Sequence, residues 1–268
     1  MKWLKVGAVI FGALIVTALG IDAADTLSGS RSTLLGELIA SNNLQTCPKG
    51  MAEAPMAQTF TCVDIYEASA DASCPNLSPQ NEIDTKNNVD TASCKSASVA
   101  HVQPWRFITR EQAATECIRA GKRLPKSDEW YLFAAGTVDD AAVCNTNSQQ
   151  SSQTGDHQKC LSAVGVQDAI GNVWEWVSDD VESGKLQDRT LPESGYVSQV
   201  DSNGIATVTD SKATELFYKD YFWSKADGAF GILRGGFYGS GSDAGIYSVH
   251  ADTVPTTAGT AIGFRCVK

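Results

Sequence analysis

Eight cysteines and three histidines hold most of the chemical reach of this 268-residue sequence. Thiolates and imidazoles bind soft metals or act as nucleophile and base, but only where spacing brings them together. The cysteines stand at 47, 62, 74, 94, 117, 144, 160 and 266, with no Cys-x-x-Cys pair. Zinc ribbons and thioredoxin-type redox sites therefore lack support. His101, His157 and His250 show no His-x-x-x-His spacing, and no Gly-x-Ser-x-Gly elbow occurs. His250 reads as an exposed contact residue rather than a catalytic base. The even cysteine count reads as disulfides. Sequence proximity suggests Cys47–Cys62, Cys74–Cys94 and Cys144–Cys160, which leaves Cys117 with Cys266, one connectivity among the many available.

A second set of residues suits binding rather than bond making. Residues 231–263 contain eight of the 23 glycines, and the stretch splits into two kinds of position. Gly235, Gly236, Gly239, Ala244, Gly245, Pro255, Ile262, Gly263 and Phe264 are small, turn-forming or apolar, suited to a frame. Interleaved with them are Phe237, Tyr238, Ser240, Ser242, Asp243, Tyr247, Ser248, His250, Asp252, Thr256, Thr257 and Thr260. Aromatic and hydroxyl side chains on a glycine-rich frame give rigid contact area together with adaptable hydrogen bonding, as in antibody loops. These twelve residues form the expected ligand-binding face. Asp243 and Asp252 are its only acids, so it is almost uncharged.

The elements that must position these residues read as an α+β chain with long loops and few helices. Phe60 to Tyr66 alternates like a strand. Thr109-Arg-Glu-Gln112 is a capping box, followed by Ala113, Ala114, Cys117 and Ile118 on one helical face, with Gly121 closing the helix. A second helix is expected after Pro125, with Ser127 as N-cap, running through Trp130 and Phe133 to Gly136. Residues 69–100 read as a surface excursion pinned by Cys74 and Cys94. Asp201-Ser-Asn-Gly204 marks a hairpin turn within 196–208. Trp174 and Trp176, two apart, share a strand face and read as core, whereas Asp179, Asp180 and Glu182 read as a solvated loop.

Composition and the N-terminus place the chain. Thirty-one acids against 21 bases give a net charge of −10, which argues against nucleic acid as a partner. Two lysines precede an uncharged run from Val6 to Ile21, the pattern of a signal peptide or membrane anchor. Sixteen residues rise about 24 Å as a helix, short of the about 30 Å hydrocarbon core. The expected organisation is a signal or anchor at 1–21, a stalk at 22–46 and a disulfide-stapled domain at 47–268. The protein is expected to be exported, either secreted or anchored at the cell surface.

Three stretches resemble one family. Gly121-Lys-Arg-Leu-Pro125 leading to Glu129-Trp130, Gly171-Asn-Val-Trp-Glu-Trp176, and Leu233-Arg-Gly-Gly236 with Gly263-Phe-Arg-Cys266 are similar to the signatures of the formylglycine-generating enzyme (sulfatase-modifying factor) family. Cys47 to Glu67 resembles its first strand. The resemblance implies a C-type lectin-type fold, with two helices packed on short twisted antiparallel sheets. It also implies a long-range Cys117–Cys266 disulfide. One departure is Lys126, where the family commonly has a threonine helix cap.

The family's enzymes hold copper through two cysteines shortly after the Arg-Gly-Gly segment, and here residues 237–250 contain none. The resemblance therefore implies a non-catalytic branch. The frame of Arg234-Gly-Gly236, Ala244-Gly245 and Ile262-Gly-Phe-Arg265 is similar to the variable region of the target proteins of diversity-generating retroelements, here residues 234–266. It implies recognition of a protein or glycan ligand on another cell or particle through a diversified face. The competing classes are a copper oxidase of the same fold and a structural envelope protein. No cofactor is required, although the family often binds Ca²⁺ near Asn172 and Glu175, which offer oxygen donors beside Gly171.

Overall fold

The structure, a computed structural model, describes residues 47–268; the expected signal or anchor and the stalk lie outside the described residues. Three sheets and three α-helices make up the described chain. Strands β1 (Met51–Glu53) and β2 (Cys62–Asp64) pair antiparallel. Strand β3 (Ala68–Ala70) pairs with β4 (Ser96–Ser98) across helix α1 (Glu82–Asp90). Helices α2 (Arg110–Arg119) and α3 (Ser127–Ala134) follow. The large sheet takes in β5 (Trp174–Glu182), β6 (Lys185–Leu186), β7 (Arg189–Thr190), β8 (Gly195–Val200) and β9 (Ala206–Asp210). It is completed by β10 (Tyr221–Ser224), β11 (Ala229–Arg234), β12 (Val249–Thr253) and β13 (Ile262–Phe264). Its order is β7-β6-β5-β11-β12-β10-β8-β9, with β13 parallel to β5 and β10 parallel to β12.

Period-2 alternation gives this sheet two apolar sides. Trp174, Trp176 and Leu233 join Ala113 and Cys117 of α2, Trp105 and Phe264 in one core. Val177, Ile232, Val249 and Ala251 join Trp130 and Phe133 of α3 in the other. Each large buried side chain contributes about 1.5–3 kcal/mol of transfer free energy, so the two tryptophans on one strand face act as core, as their spacing predicts. Four disulfides staple the fold at Cys47–Cys62, Cys74–Cys94, Cys117–Cys266 and Cys144–Cys160, the pairing that proximity suggests. The last closes the loop before the glycine turn at 171. Cys117–Cys266 ties α2 to the C-terminal strand, where Val267 also bridges Val63 and Arg123.

Several local expectations need correction. The capping box at α2 forms, with Thr109 Oγ1 accepting from Gln112 N at 3.3 Å and Gln112 Oε1 accepting from Thr109 N at 3.0 Å. Ile118, however, is 68% exposed, because α2 buries a narrower stripe centred on Ala113 and Cys117. In α3 the N-cap is Lys126, not Ser127. A distant strand supplies the missing acceptor: Asp179 Oδ2 takes the Ser127 amide at 2.6 Å, and Glu129 takes the Lys126 amide at 2.7 Å. Asp179, Asp180 and Glu182 therefore lie on a strand, not a loop, and Asp180 pairs with Arg110 at 2.6 Å. The excursion 69–100 carries helix α1 and strand β4. Replacing Thr109 by Ala should cost about 1 kcal/mol, read as a lowered urea midpoint at unchanged slope.

Candidate ligand-binding face

The frame beneath the face is built from buried charge. Arg234 is fully buried on the ring of Trp130, 4.8 Å from its centroid, and donates Nη2 to Ile246 O at 2.9 Å and Nη1 to Ser127 Oγ at 3.3 Å. Burial lowers its pKa to about 10. Gly235 and Gly236 follow with φ of 91° each; a Cβ would run into Ala169 O and the Trp130 ring at the first and into Ala244 at the second. Only glycine lets the chain turn so close to α3.

The 171–176 motif and the C-terminal strand meet at Arg265. Its Nε and Nη2 reach Glu175 at 2.8 and 2.5 Å, and further donors reach Gln167 O, Asp64 O and Ile65 O. Glu175 Oε2 also accepts from Trp130 Nε1 at 2.7 Å. Asn172, at φ 55°, donates Nδ2 to Glu67 and accepts from Ser152 N at 2.8 Å and Asn145 Nδ2 at 3.1 Å. Burial pushes Glu67 well above the ordinary carboxylate range, reinforced by the charges of Asp168 and Glu175, and burial raises Asp168 to about 6. The carboxyl charge gathered here is answered by Arg265.

This geometry bears on both metals that the motifs raise. Asn172 and Glu175 do not form an open calcium site, because the oxygens of both side chains are committed to Arg265, Trp130, Asn145 and Ser152. Calcium needs six to eight oxygens, and a guanidinium already neutralises this carboxylate. Nor does any thiol stand free, among the described residues, to hold the copper of the family's enzymes. All eight cysteines are in disulfides, and the segment after Gly236 contains no thiol.

The twelve expected contact residues do not share one surface. Residues 237–243 form a loop seated on 145–148 and the 171–172 turn: Tyr238 N donates to Asn172 O at 3.0 Å, Ser148 N to Tyr238 O at 2.6 Å, and Gly241 N to Thr146 O at 2.7 Å. Ser240 Oγ accepts from Phe237 N at 3.0 Å, and Phe237 packs at the edge of the Trp174 core. Ser242 is exposed and Asp243 half-buried, with burial raising its pKa. Thr256, Thr257 and Thr260 stand exposed on the 254–261 loop, where Arg106 Nη1 reaches Thr260 Oγ1 at 3.3 Å.

His250 and Asp252 point from β12 to the Trp174 side. The His250 ring stacks parallel on Trp223 at 4.1 Å, and its Nδ1 lies 2.9 Å from Asp252 Oδ1, the contact that holds the Asp252 carboxyl below its usual range. Tyr221 lies 4.6 Å from Trp223, and Tyr196 lies 5.0 Å from Tyr221, so a row of half-buried rings crosses three strands, β12, β10 and β8. Sequence reasoning missed these three residues. The available signal was Tyr221-Phe-Trp223, where two aromatics alternate with a phenylalanine that fills the opposite core.

Two expected contacts are corrected. Ser248 is fully buried, and its hydroxyl donates to Asp243 O within a turn that also joins Ser248 N to Gly245 O. Tyr247 emerges on the α3 side of the sheet, against Tyr131 at 5.9 Å and Phe217 at 5.4 Å. That tight turn reverses the facing of neighbouring residues, which a flat reading of the stretch overlooks.

With frame, stapled C-terminus and motif geometry in place, the class is defined. The sulfatase-modifying factor enzyme 1-like domain model matches residues 57–268, and the chain belongs to that family. Its fold is α+β of the C-type lectin type expected from the resemblance. No curated protein matches the chain. Among solved structures it is similar to the Major Tropism Determinant I1 variant, at 18% identity and TM-score 0.47 over 83% of this chain and 53% of that one. It is also similar to Treponema denticola variable protein 1, at 12% identity and TM-score 0.43 over 84% and 94%. CarF is a third, at 13% identity and TM-score 0.41 over 77% and 85%. The chain spans about half the length of the tropism determinant variant.

Proposed function

We propose that this protein is a non-catalytic ligand-binding member of its family, which recognises a protein or glycan through the exposed positions between Arg234 and Cys266. One observation carries the reading: most frame and contact residues separate by burial, Gly239, Pro255 and Ile262 of the frame and the buried Ser248 being the exceptions. Arg234, Gly235, Gly236, Ala244, Gly245, Gly263 and Phe264 are inside, while Phe237, Tyr238, Ser240, Ser242, Asp243, His250, Asp252 and the three threonines reach solvent. Side chains can then change on a fixed backbone without disturbing the core. The face is proposed to be displayed on the surface or secreted, and to be diversified.

Rigid aromatics with polar neighbours suffice for recognition, so no covalent step is assigned. The genomic DNA beside the gene tests diversification. A near-identical repeat differing at adenines in the codons of these positions, with a reverse transcriptase gene nearby, is expected. Its absence overturns the diversified face. The oxidase alternative is tested by copper titration with a peptide-cysteine oxidation assay, for which neither stoichiometric copper nor turnover is expected. Stoichiometric copper with turnover overturns the binding reading.

A further inference from the structure

Two carboxyls outside the Arg265 cluster converge under the corner that leads into Tyr247. Asp220 precedes β10 and is fully buried; Asp139 lies in the loop after α3 and is half-buried. The two carboxyls adjoin one another beneath Gly245. Asp220 Oδ2 accepts the Tyr247 amide at 2.6 Å, whereas Asp220 Oδ1 and Asp139 Oδ2 meet no donor among the described residues. A Cβ at Gly245 would overlap both carboxyls, so the glycine backbone forms the roof of the pair.

Two carboxyls cannot hydrogen-bond to each other unless one holds a proton. The charges around them agree with one proton. Arg234, from β11, is the cation facing Asp220; Asp140 lies on Asp139's own loop; Tyr131 of α3, Tyr218 and Tyr247 complete the surroundings. A singly protonated pair beside Arg234 is neutral. A divalent cation in place of the proton would stand next to that guanidinium with only two carboxylates, far from the six to eight oxygens calcium requires.

We infer that Asp139 and Asp220 share one proton that clamps the 244–247 corner, and that loss of this proton releases this corner of the frame. The inference rests on the binding reading in one respect, that Ala244 and Gly245 of this corner belong to its buried frame. Burial raises both carboxyls, Asp139 to about 7 and Asp220 well above the usual range, the latter helped by the charge of Asp139. Raised carboxyls bind the proton more tightly folded than unfolded. Their stabilisation is complete below the ordinary value near 4, declines above it, and is lost only once pH passes both folded values, about 7 for Asp139 and higher for Asp220, which keeps the shared proton.

Hydrogen exchange on the unliganded full chain, corrected for intrinsic rates, tests the clamp. Protection of the Tyr247 amide is expected to fall at least about tenfold between pH 6 and pH 8.5, the equivalent of one shifted pKa unit. In Asp139→Asn the amide donates to Asp220 at every pH, and the profile should be flat. A flat wild-type profile, or the same fall in the variant, overturns the inference. Should the variant not fold, carboxyl carbon NMR of aspartate-labelled wild type must show one carboxyl titrating near pH 7. Complete ionisation of all aspartates by pH 5.5 overturns it, as does restored protection at pH 8.5 on adding calcium. None of these readouts requires a ligand, so their failure leaves the binding reading standing.

Discussion

Replacing Arg265 by Met should destabilise the protein by about 3–5 kcal/mol, the range for removing one partner of a buried ion pair. Arg265 and Glu175 are 0% and 1% exposed, so solvent cannot answer the carboxylate left behind. Glu67 and Asp168 stand in the same pocket, and each is already raised by burial even with the guanidinium present. The variant must therefore hold protons on these groups in order to fold. Because their folded values lie above the unfolded ones, stability from this pocket is greatest at low pH. It declines as pH rises through the folded values, about 6 for Asp168. The variant's deficit, read by urea denaturation, should thus be larger at pH 8 than at pH 5. A loss below about 1 kcal/mol, or a deficit independent of pH, would show that the cluster does not hold the motif to the C-terminal strand.

The same cluster explains what could be read from the sequence. Gly171-Asn-Val-Trp-Glu-Trp176 and Gly263-Phe-Arg-Cys266 stood out as fixed patterns, and the structure joins them through Glu175 and Arg265. That the glutamate serves an arginine rather than a cation was not legible, because nothing local specifies a partner 90 residues away. Helix α1 was missed for a related reason. Its buried residues are Thr85 and Asn88, held by hydrogen bonds with Trp105, Arg106 and Asn76, so no apolar periodicity announces it. Asp179 looked like a solvated acid because its task, accepting the Ser127 amide, also depends on tertiary approach. The glycine-rich stretch gave up its frame readily but not its sides. Turn residues mark where the chain bends, whereas the facing of Tyr247 and Ser248 depends on the register of β12 against β11.

Removing the Cys117–Cys266 disulfide, by replacing both residues with Ala, should cost about 5 kcal/mol, more than any other bridge. Chain entropy sets the ranking. This bridge closes 149 residues, while Cys74–Cys94 closes 20 and is expected to contribute about 3 kcal/mol. Both cysteines of the long bridge are fully buried, so the double variant also loses sulfur packing between α2 and the strand carrying Arg265. The consequence reaches the candidate face. Strand β13 lies against β5 through Ile262, Gly263 and Phe264, and the 254–261 loop with its threonines hangs from that strand. In the variant, the 254–268 segment should lose hydrogen-exchange protection at lower urea than Tyr238 and the 237–243 loop, which are held separately by Asn172 and Thr146. Equal costs for the two bridges, or simultaneous loss of both segments, would mean that the C-terminal strand is retained by Arg265 and by the Val267 pairings with Val63 and Arg123 rather than by the long disulfide.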